Sequence, residues 1–277
     1  MAPRPVEVGA TLPSATLRWG KDDVILYALG VGARPPKELD LVYEERGPAV
    51  LPTFALIPNW WAVKDLRSAM AVEGIPIVHA YQSLELTRPM PAEGTVTTEA
   101  VVTAVWDKGK HTYVETSSRG VDREGVLFTA TSGTMILGLG GWGGERGPSS
   151  GGSAYPQHPP DVSVDDQVRV EQAAIYRLCG DRNPLHIDAS RARAAGFDDV
   201  FLHGLCTLGF AARAIVSSTA DGDPSRLRRI SCRFASPVAV DAPLTTEIWR
   251  GETELVFRTI QSGREALAHG RALLATS

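Results

Sequence analysis

Two periodicities divide the chain. Residues 21–29 and 60–70 carry apolar positions at helical spacing, the second with Trp61, Val63, Leu66 and Met70 apolar, and between them 50–57 is an almost unbroken apolar run. From Ile75 the pattern turns to strands. Residues 81–86, 96–106, 111–118 and 126–137 alternate or run apolar with many β-branched side chains, broken by the turn sequences P-M-P-A-E-G, D-K-G-K and D-R-E-G. The first half therefore predicts helices followed by an antiparallel meander. Later in the chain a short helix over 189–195, with Asp188 as its N-cap and Gly196 as its end, precedes a longer apolar helix that opens at Gly204. That helix carries Leu205, Leu208, Phe210, Ala211, Ile215 and Val216 at helical spacing with few polar positions, the mark of a buried helix. Strands are predicted again at 227–234, 244–249, 255–260 and 266–274.

The second half thus repeats the first. Tyr27-Ala28-Leu29 lies against Tyr176-Arg177-Leu178 at an offset of 149, and Pro89 through the T-T-E at 97–99 lies against Pro237 through the T-T-E at 245–247 at an offset of 148. One register matching at two distant places argues for a duplicated unit. The reading is an α+β chain of two tandem units, 1–137 and 161–277, joined by the Gly/Pro/Ser-rich linker 138–160. The linker holds a formal G-x-G-x-x-G at Gly138, Gly140 and Gly143. No helix can begin in E-R-G-P-S-S-G-G, so the dinucleotide fingerprint lacks the helix it requires and is rejected.

At 277 residues either one large or two ordinary domains can bury a full core. A net charge of -4 gives no basic footprint, which speaks against nucleic acid and anionic membrane as partners. Cys179, Cys206 and Cys232 leave one cysteine over in any pairing and form no C-x-x-C, which suits a reducing cytoplasm. No stretch approaches the ~20 apolar residues of a membrane span, the N-terminus lacks an apolar signal core, and the final A-T-S is not the peroxisomal tripeptide. The preponderance of arginine over lysine hints at a GC-rich bacterial source.

The chemistry concentrates between Tyr176 and Phe210. Asp181, Asn183 and His186 put an acid, an amide and an imidazole within six residues, and Gly180 and Pro184 disfavour an uninterrupted helix there. Such a loop holds polar groups fixed relative to one another. A carboxylate and an imidazole so held can share proton transfer to and from water. Free N–H groups at the start of the buried helix, with Gly204 permitting close approach, can receive a developing oxyanion. The implied reaction joins water to a carbonyl compound through an enolate. The first copy lacks these groups: Val31-Gly32 stands where the second has Gly180-Asp181, and Thr53-Phe54 where it has His203-Gly204.

G-D-x-N-P-L-H-x-D at 180–188 followed by L-H-G-L-C-T-x-G-F at 202–210 resembles the signature of the (R)-specific enoyl-CoA hydratases, the MaoC-like or hydratase 2 family. Looser similarity extends through 23–33, 51–54, D-K-G at 107–109 and R-F-A-x-P-V at 233–238. The resemblance implies a double hot-dog fold, two sheets each wrapped around a helix. It also implies hydration of a trans-2-enoyl-CoA to the (3R)-3-hydroxyacyl-CoA, with coenzyme A as part of the substrate and no separate cofactor. By the same resemblance Asp181 and His186 hold one water, the Gly204 N–H takes the enolate charge and Asn183 holds the loop or the substrate. Substrate contacts carry over to Arg182, Pro184, Leu185 and Phe234 in the second half, and to His79, Ala80 and Lys108 in the first. The family usually has His-Gly where this chain has His79-Ala80, and the added methyl would narrow the cavity. A homodimer is left open.

Blander readings stand beside these. His186, Asp188 and His203 are ligand types for a metal, but no four-ligand spacing appears and Asp188 has a capping role, so no metal is expected. Cys206 reads as a small buried hydrophobe rather than a nucleophile. Trp60 and Trp61 suit core packing as well as an acyl pocket, and a solvated surface is the default for Lys108. A thioesterase of the same fold, a dehydratase acting on carrier-bound acyl groups and a non-catalytic acyl-CoA-binding protein are the alternatives.

Overall fold

The computed structural model describes residues 5–64, 66–70, 72, 74–148 and 155–275, with the backbone alone at 67. In the first half β1 (Ala15–Trp19), α1 (Lys21–Gly30), α2 (Leu39–Val42), α3 (Leu56–Val63) and α4 (Leu66–Ala69) precede β2 (Ile77–Leu86), β3 (Gly94–Asp107), β4 (Thr112–Asp122) and β5 (Gly125–Ile136). The second half runs β6 (Val162–Val168), α5 (Gln172–Tyr176), α6 (Ala189–Ala194), β7 (Phe201–Leu202), α7 (Gly204–Thr219) and β8 (Leu227–Phe234). It closes with β9 (Val238–Ala239), β10 (Ala242–Arg250), β11 (Leu255–Gln261) and β12 (Arg264–Leu274).

The duplication is visible in the strand order. The first unit pairs β1-β3-β4-β5-β2, the second pairs β6-β10-β11-β12-β8, and each position in one has its counterpart in the other. The units meet where β2 runs antiparallel to β8, from Tyr81 opposite Arg233 to Glu85 opposite Arg229. The two sheets therefore continue into one ten-stranded antiparallel sheet, which is the double hot-dog arrangement with its inner edges paired to each other. In the second unit the sheet wraps α7, whose residues from Leu205 to Val216 are all buried. In the first unit α3 packs on β1, β3 and β4 in the corresponding place.

The helices of the two halves interlock. A Cβ on Gly32, whose φ is +87°, would lie 2.3 Å from the Phe210 ring, and one on Gly209 would lie 2.3 Å from Val31 Cγ1. Only glycine at both positions lets the end of α1 sit on α7. The Arg213 guanidinium, buried on α7, donates from Nε to the Val31 carbonyl at 3.1 Å, from Nη1 to Glu38 at 2.8 Å and from Nη2 to Asp166. It thus ties the loop after α1 to β6. Tyr27 and Tyr176, matched in the repeat, pack with ring centroids 6.0 Å apart.

Four features differ from the sequence expectation. The helix predicted over 60–70 begins earlier, at Leu56, because Pro58 falls in the first turn where its missing N–H costs nothing. It also ends earlier, at Val63, and α4 is a separate turn. The strands β1, β6, β7 and β9 are short or polar at alternate positions and gave no run to detect. The start of the linker is also packed. The Asp107 carboxylate accepts the N–H groups of Gly141 and Gly143 at 2.9 Å and 2.8 Å, and the Trp142 indole donates to Thr112 Oγ1 at 2.8 Å. Residues 138–148 are therefore fastened to the first unit, while 149–154 lie outside the described residues.

Candidate active site

The loop between α5 and α6 is shaped by its own side chains. Asp181 Oδ1 accepts the Asn183 N–H at 3.0 Å, and Asn183 Oδ1 accepts the Leu185 N–H at 3.2 Å, two successive Asx turns that Pro184 stiffens. Asn183 is thereby committed to the loop. Asp188 accepts from the N–H groups of Ser190 and Arg191 as the N-cap of α6, and Gly196, with φ +90°, ends it. The turn beneath this loop rests on the first unit, for a Cβ on Gly180 would lie 3.2 Å from the Trp61 indole nitrogen.

His186 is buried, and its ring packs edge-on against Phe201 with centroids 4.7 Å apart. Its Nδ1 lies 2.8 Å from the Phe201 carbonyl oxygen. A carbonyl oxygen only accepts, so Nδ1 carries the proton and Nε2 of the neutral ring is left as an acceptor. Ligand-capable atoms of Asp181, His186 and His203 all lie within 4.8 Å of one another. This differs from the grouping weighed from sequence, since Asp188 is turned away on its cap and Asp181 takes its place. Burial pushes the Asp181 carboxyl up from 3.8 and the His186 imidazole down from 6.5, each opposed by its hydrogen bond and by the attraction of the other. The pair therefore sits with an acceptor carboxylate and an acceptor nitrogen across a short gap.

The start of α7 completes the arrangement. His203 occupies the N-cap and Gly204 is the first helical residue, so the N–H groups of the first turn have no intrahelical partner. A Cβ on Gly204 would lie 3.0 Å from Phe234 Cδ1, and the Phe234 ring packs in turn against His79 with centroids 4.5 Å apart. Phe234 and His79 are the neighbours of the β2–β8 seam, so the first unit supplies one wall at the helix start. Nε2 of His79 is buried without a partner among the described residues, and burial pulls this imidazole down to about 4. Ala80 falls at the bulge in β2 where pairing with β5 shifts between His79 and Tyr81.

The remaining sequence-predicted residues are placed less centrally. Arg182 and Pro184 are exposed on the loop and Leu185 is half-buried. Lys108 is not simply solvated. Its ammonium donates to the carbonyls of Arg146 at 2.5 Å and Pro148 at 2.9 Å and lies 5.0 Å from the centre of the Trp106 ring. Partial burial, with the charges of Arg146 and Arg233 nearby, lowers its pKa. The charges of Arg146 and Arg233 thus act on Lys108, a grouping that only folding creates and no sequence spacing shows. Cys206 is buried with its thiol donating to the Gly30 carbonyl at 3.2 Å, and burial pushes it well above the ordinary thiol value, so it is no nucleophile. Trp61 is 37% exposed beside the Gly180 turn rather than in the core.

Comparison with known proteins covers both halves. Residues 18–138 match the MFE-2 hydratase 2 N-terminal domain and residues 153–269 match the MaoC like domain. The chain is 36% identical to enoyl-CoA hydratase ChsH3 of Mycobacterium tuberculosis over 94% of its length and 93% of that protein. It is 37% identical to 3-hydroxyacyl-thioester dehydratase Y of the same organism, over 99% of its length and 97% of that protein. Against the peroxisomal multifunctional enzyme type 2 of Drosophila melanogaster it is 35% identical over 95% of its length. The solved structure of that enzyme superimposes with a TM-score of 0.83 over 96% of this chain. The chain spans 46% of the Drosophila enzyme and 36% of its Mus musculus relative, about half their length or less.

Proposed function

The chain belongs to the MaoC-like, hydratase 2 family and carries both of its halves, and from that premise we propose that it adds water to trans-2-enoyl-CoA thioesters to give (3R)-3-hydroxyacyl-CoA. The observation that carries the reading is the gap between Asp181 and His186. Oδ1 of Asp181 is occupied by the Asn183 N–H and Nδ1 of His186 by the Phe201 carbonyl, so Oδ2 and Nε2 are the groups free to face a water. Both are acceptors. A water between them donates both of its hydrogens and turns an oxygen lone pair toward C3 of the enoyl group. As the C3–O bond forms, the π electrons of C2=C3 move into the thioester, and the N–H of Gly204 at the positive end of α7 receives the charge on its oxygen. The water proton passes to the Asp181–His186 pair. The pair returns a proton to C2, so no atom is left over and the pair ends as it began. Because one pair supplies both the hydroxyl and the proton, both arrive on the same face.

The coenzyme A portion suits the side of Lys108, where the charges of Arg146 and Arg233 are also felt, since positive charge there attracts its phosphates. The acyl portion passes toward His79 and the first unit. Among the described residues no helix is long and apolar enough to cross a membrane. A cytoplasmic enzyme using thioester and water, without a separate cofactor, is part of the same proposal, and Cys179, Cys206 and Cys232, all unpaired, suit a reducing compartment.

Loss of enoyl-CoA absorbance, with the product coupled to dehydrogenases specific for each 3-hydroxy enantiomer, tests it. Only the (3R)-specific coupling should respond. Release of free thiol without hydration would point to a thioesterase, and turnover restricted to carrier-bound substrates would point to the 3-hydroxyacyl-thioester dehydratase reading that one relative's name suggests.

A further inference from the structure

His203 touches both Asp181 and His186 and has no role in the reaction as written. It is 1% exposed at the N-cap of α7, immediately before the Gly204 N–H. Its Nε2 lies 3.1 Å from the main-chain carbonyl oxygen of Asp181. Its ring lies on that of His186, with centroids 3.7 Å apart, and against Tyr176 at 5.0 Å. The carbonyl can only accept, so Nε2 must donate and Nδ1 is bare. That bare Nδ1 is buried without a hydrogen-bond partner among the described residues. Burial, with His186 and Arg177 nearby, lowers this imidazole to about 2, so it stays uncharged through any working pH. A histidine kept merely to fill space would be poorly chosen. A phenylalanine would make the same ring contacts and leave no buried acceptor unsatisfied.

We propose that His203 is the positioning residue of this site: its Nε2–H clamps the Asp181 main chain while its ring backs the His186 imidazole, so that carboxylate and imidazole keep the separation one water needs. The loop that carries Asp181 and His186 is short and held mostly by its own Asx turns, which fix its shape but not its place on α7. The Nε2–H to Asp181 bond spans 22 residues and fastens the loop to the helix whose first N–H receives the oxyanion. Donor, carboxylate and imidazole are thereby referred to one side chain. The unsatisfied Nδ1 is accepted because no smaller ring offers a flat face for His186 and an in-plane donor for Asp181 together.

The inference rests on the hydratase reading for its kinetic consequence, and the test separates the two. His203→Phe keeps the ring and deletes the donor; His203→Gln deletes the ring but places an amide N–H where the imidazole carried Nε2. With folded His203→Phe, kcat should fall roughly 10²-fold with KM little changed, the loss expected when a reacting group is misplaced by about 1 Å. His203→Gln should recover part of that loss, since it returns the Asp181 clamp without the ring. Long-range proton–nitrogen NMR of the wild-type protein should show His203 as the Nε2–H tautomer, and the His186 nitrogen signals should move in His203→Phe. A wild-type kcat in His203→Phe would overturn the proposal, as would an Nδ1–H tautomer at His203. A loss in both variants that merely tracks a lowered unfolding midpoint would overturn it too. A wild-type protein that hydrates no enoyl thioester would sink the functional reading instead, and the tautomer measurement would still decide the clamp.

Discussion

At the scale of single residues the account turns on a few atoms. Asp181→Asn keeps the volume and the Asn183 contact but removes an acceptor for the water proton. Turnover should fall roughly 10²–10⁴-fold while circular dichroism and the unfolding midpoint stay at wild-type values. Gly204 allows the oxyanion donor to be isolated. Proline is well tolerated at the first position of a helix, and His203, with ψ 138°, already has the extended backbone that a following proline demands. Gly204→Ala and Gly204→Pro both push a carbon toward Phe234, but only proline deletes the N–H. Proline should therefore cost roughly 10²–10³-fold more in kcat than alanine, and equal losses in the two variants would show that crowding, not the donor, matters. The pair also sets the pH profile. Burial raises the Asp181 carboxyl above 3.8 and lowers the His186 imidazole below 6.5, and protonating either removes an acceptor from the water. Activity must then be lost as pH falls, and the acid limb of kcat/KM belongs to the coupled pair rather than to either residue alone. These residues were legible in the sequence because the motif is local. Asn183, Asp188 and Gly196 do there what turn and cap chemistry predicts. His203 stood in the same motif, but its contact to Asp181 crosses two elements and no spacing rule announces it.

At the scale of elements, the long buried helix was readable from its apolar positions and the glycine at its start. Its clamp was not. Arg213 falls among apolar residues of α7 as one cation, and the sequence gives no sign that Glu38 and Asp166, far away in both directions, converge on it. Arg213→Met should leave two buried carboxylates without their counter-charge and cost about 3–5 kcal/mol, measurable as a lowered urea midpoint at neutral pH. A change below 1 kcal/mol would mean that water reaches the carboxylates. The helix expected over 60–70 shows the opposite failure. Its true start at Leu56 lies in the apolar run before Pro58, which a first turn tolerates, and the apolar spacing across Lys64 hid the break between α3 and α4. Edge strands β1 and β6 escaped notice because each has one face in water and few residues.

At the scale of the whole molecule, duplication explains why one catalytic set is enough. The strand orders of the two units match position for position, yet the G-D-x-N-P-L-H sequence at 180–186 has no counterpart in the first half. The first unit gives its edge β2 to β8, rests Trp61 beneath Gly180, and sets His79 against Phe234 at the start of α7. It serves as wall and floor to a site whose proposed reacting groups all come from the second. The repeat was visible as two short matches at offsets of 149 and 148, but the seam was not, since strand pairing between distant segments leaves no local pattern. The linker likewise read as a free tether from its composition, whereas Asp107 holds its first residues against the first unit.

The central claim is that one Asp181–His186 pair delivers both parts of a water to one face of the enoyl group. Hydration run in heavy water, with the position of the deuteron at C2 read by proton NMR of the (3R) product, tests it most directly. Same-face addition of deuteron and hydroxyl in a single diastereomer is the result the account predicts; a deuteron on the opposite face, or an equal mixture, would contradict it.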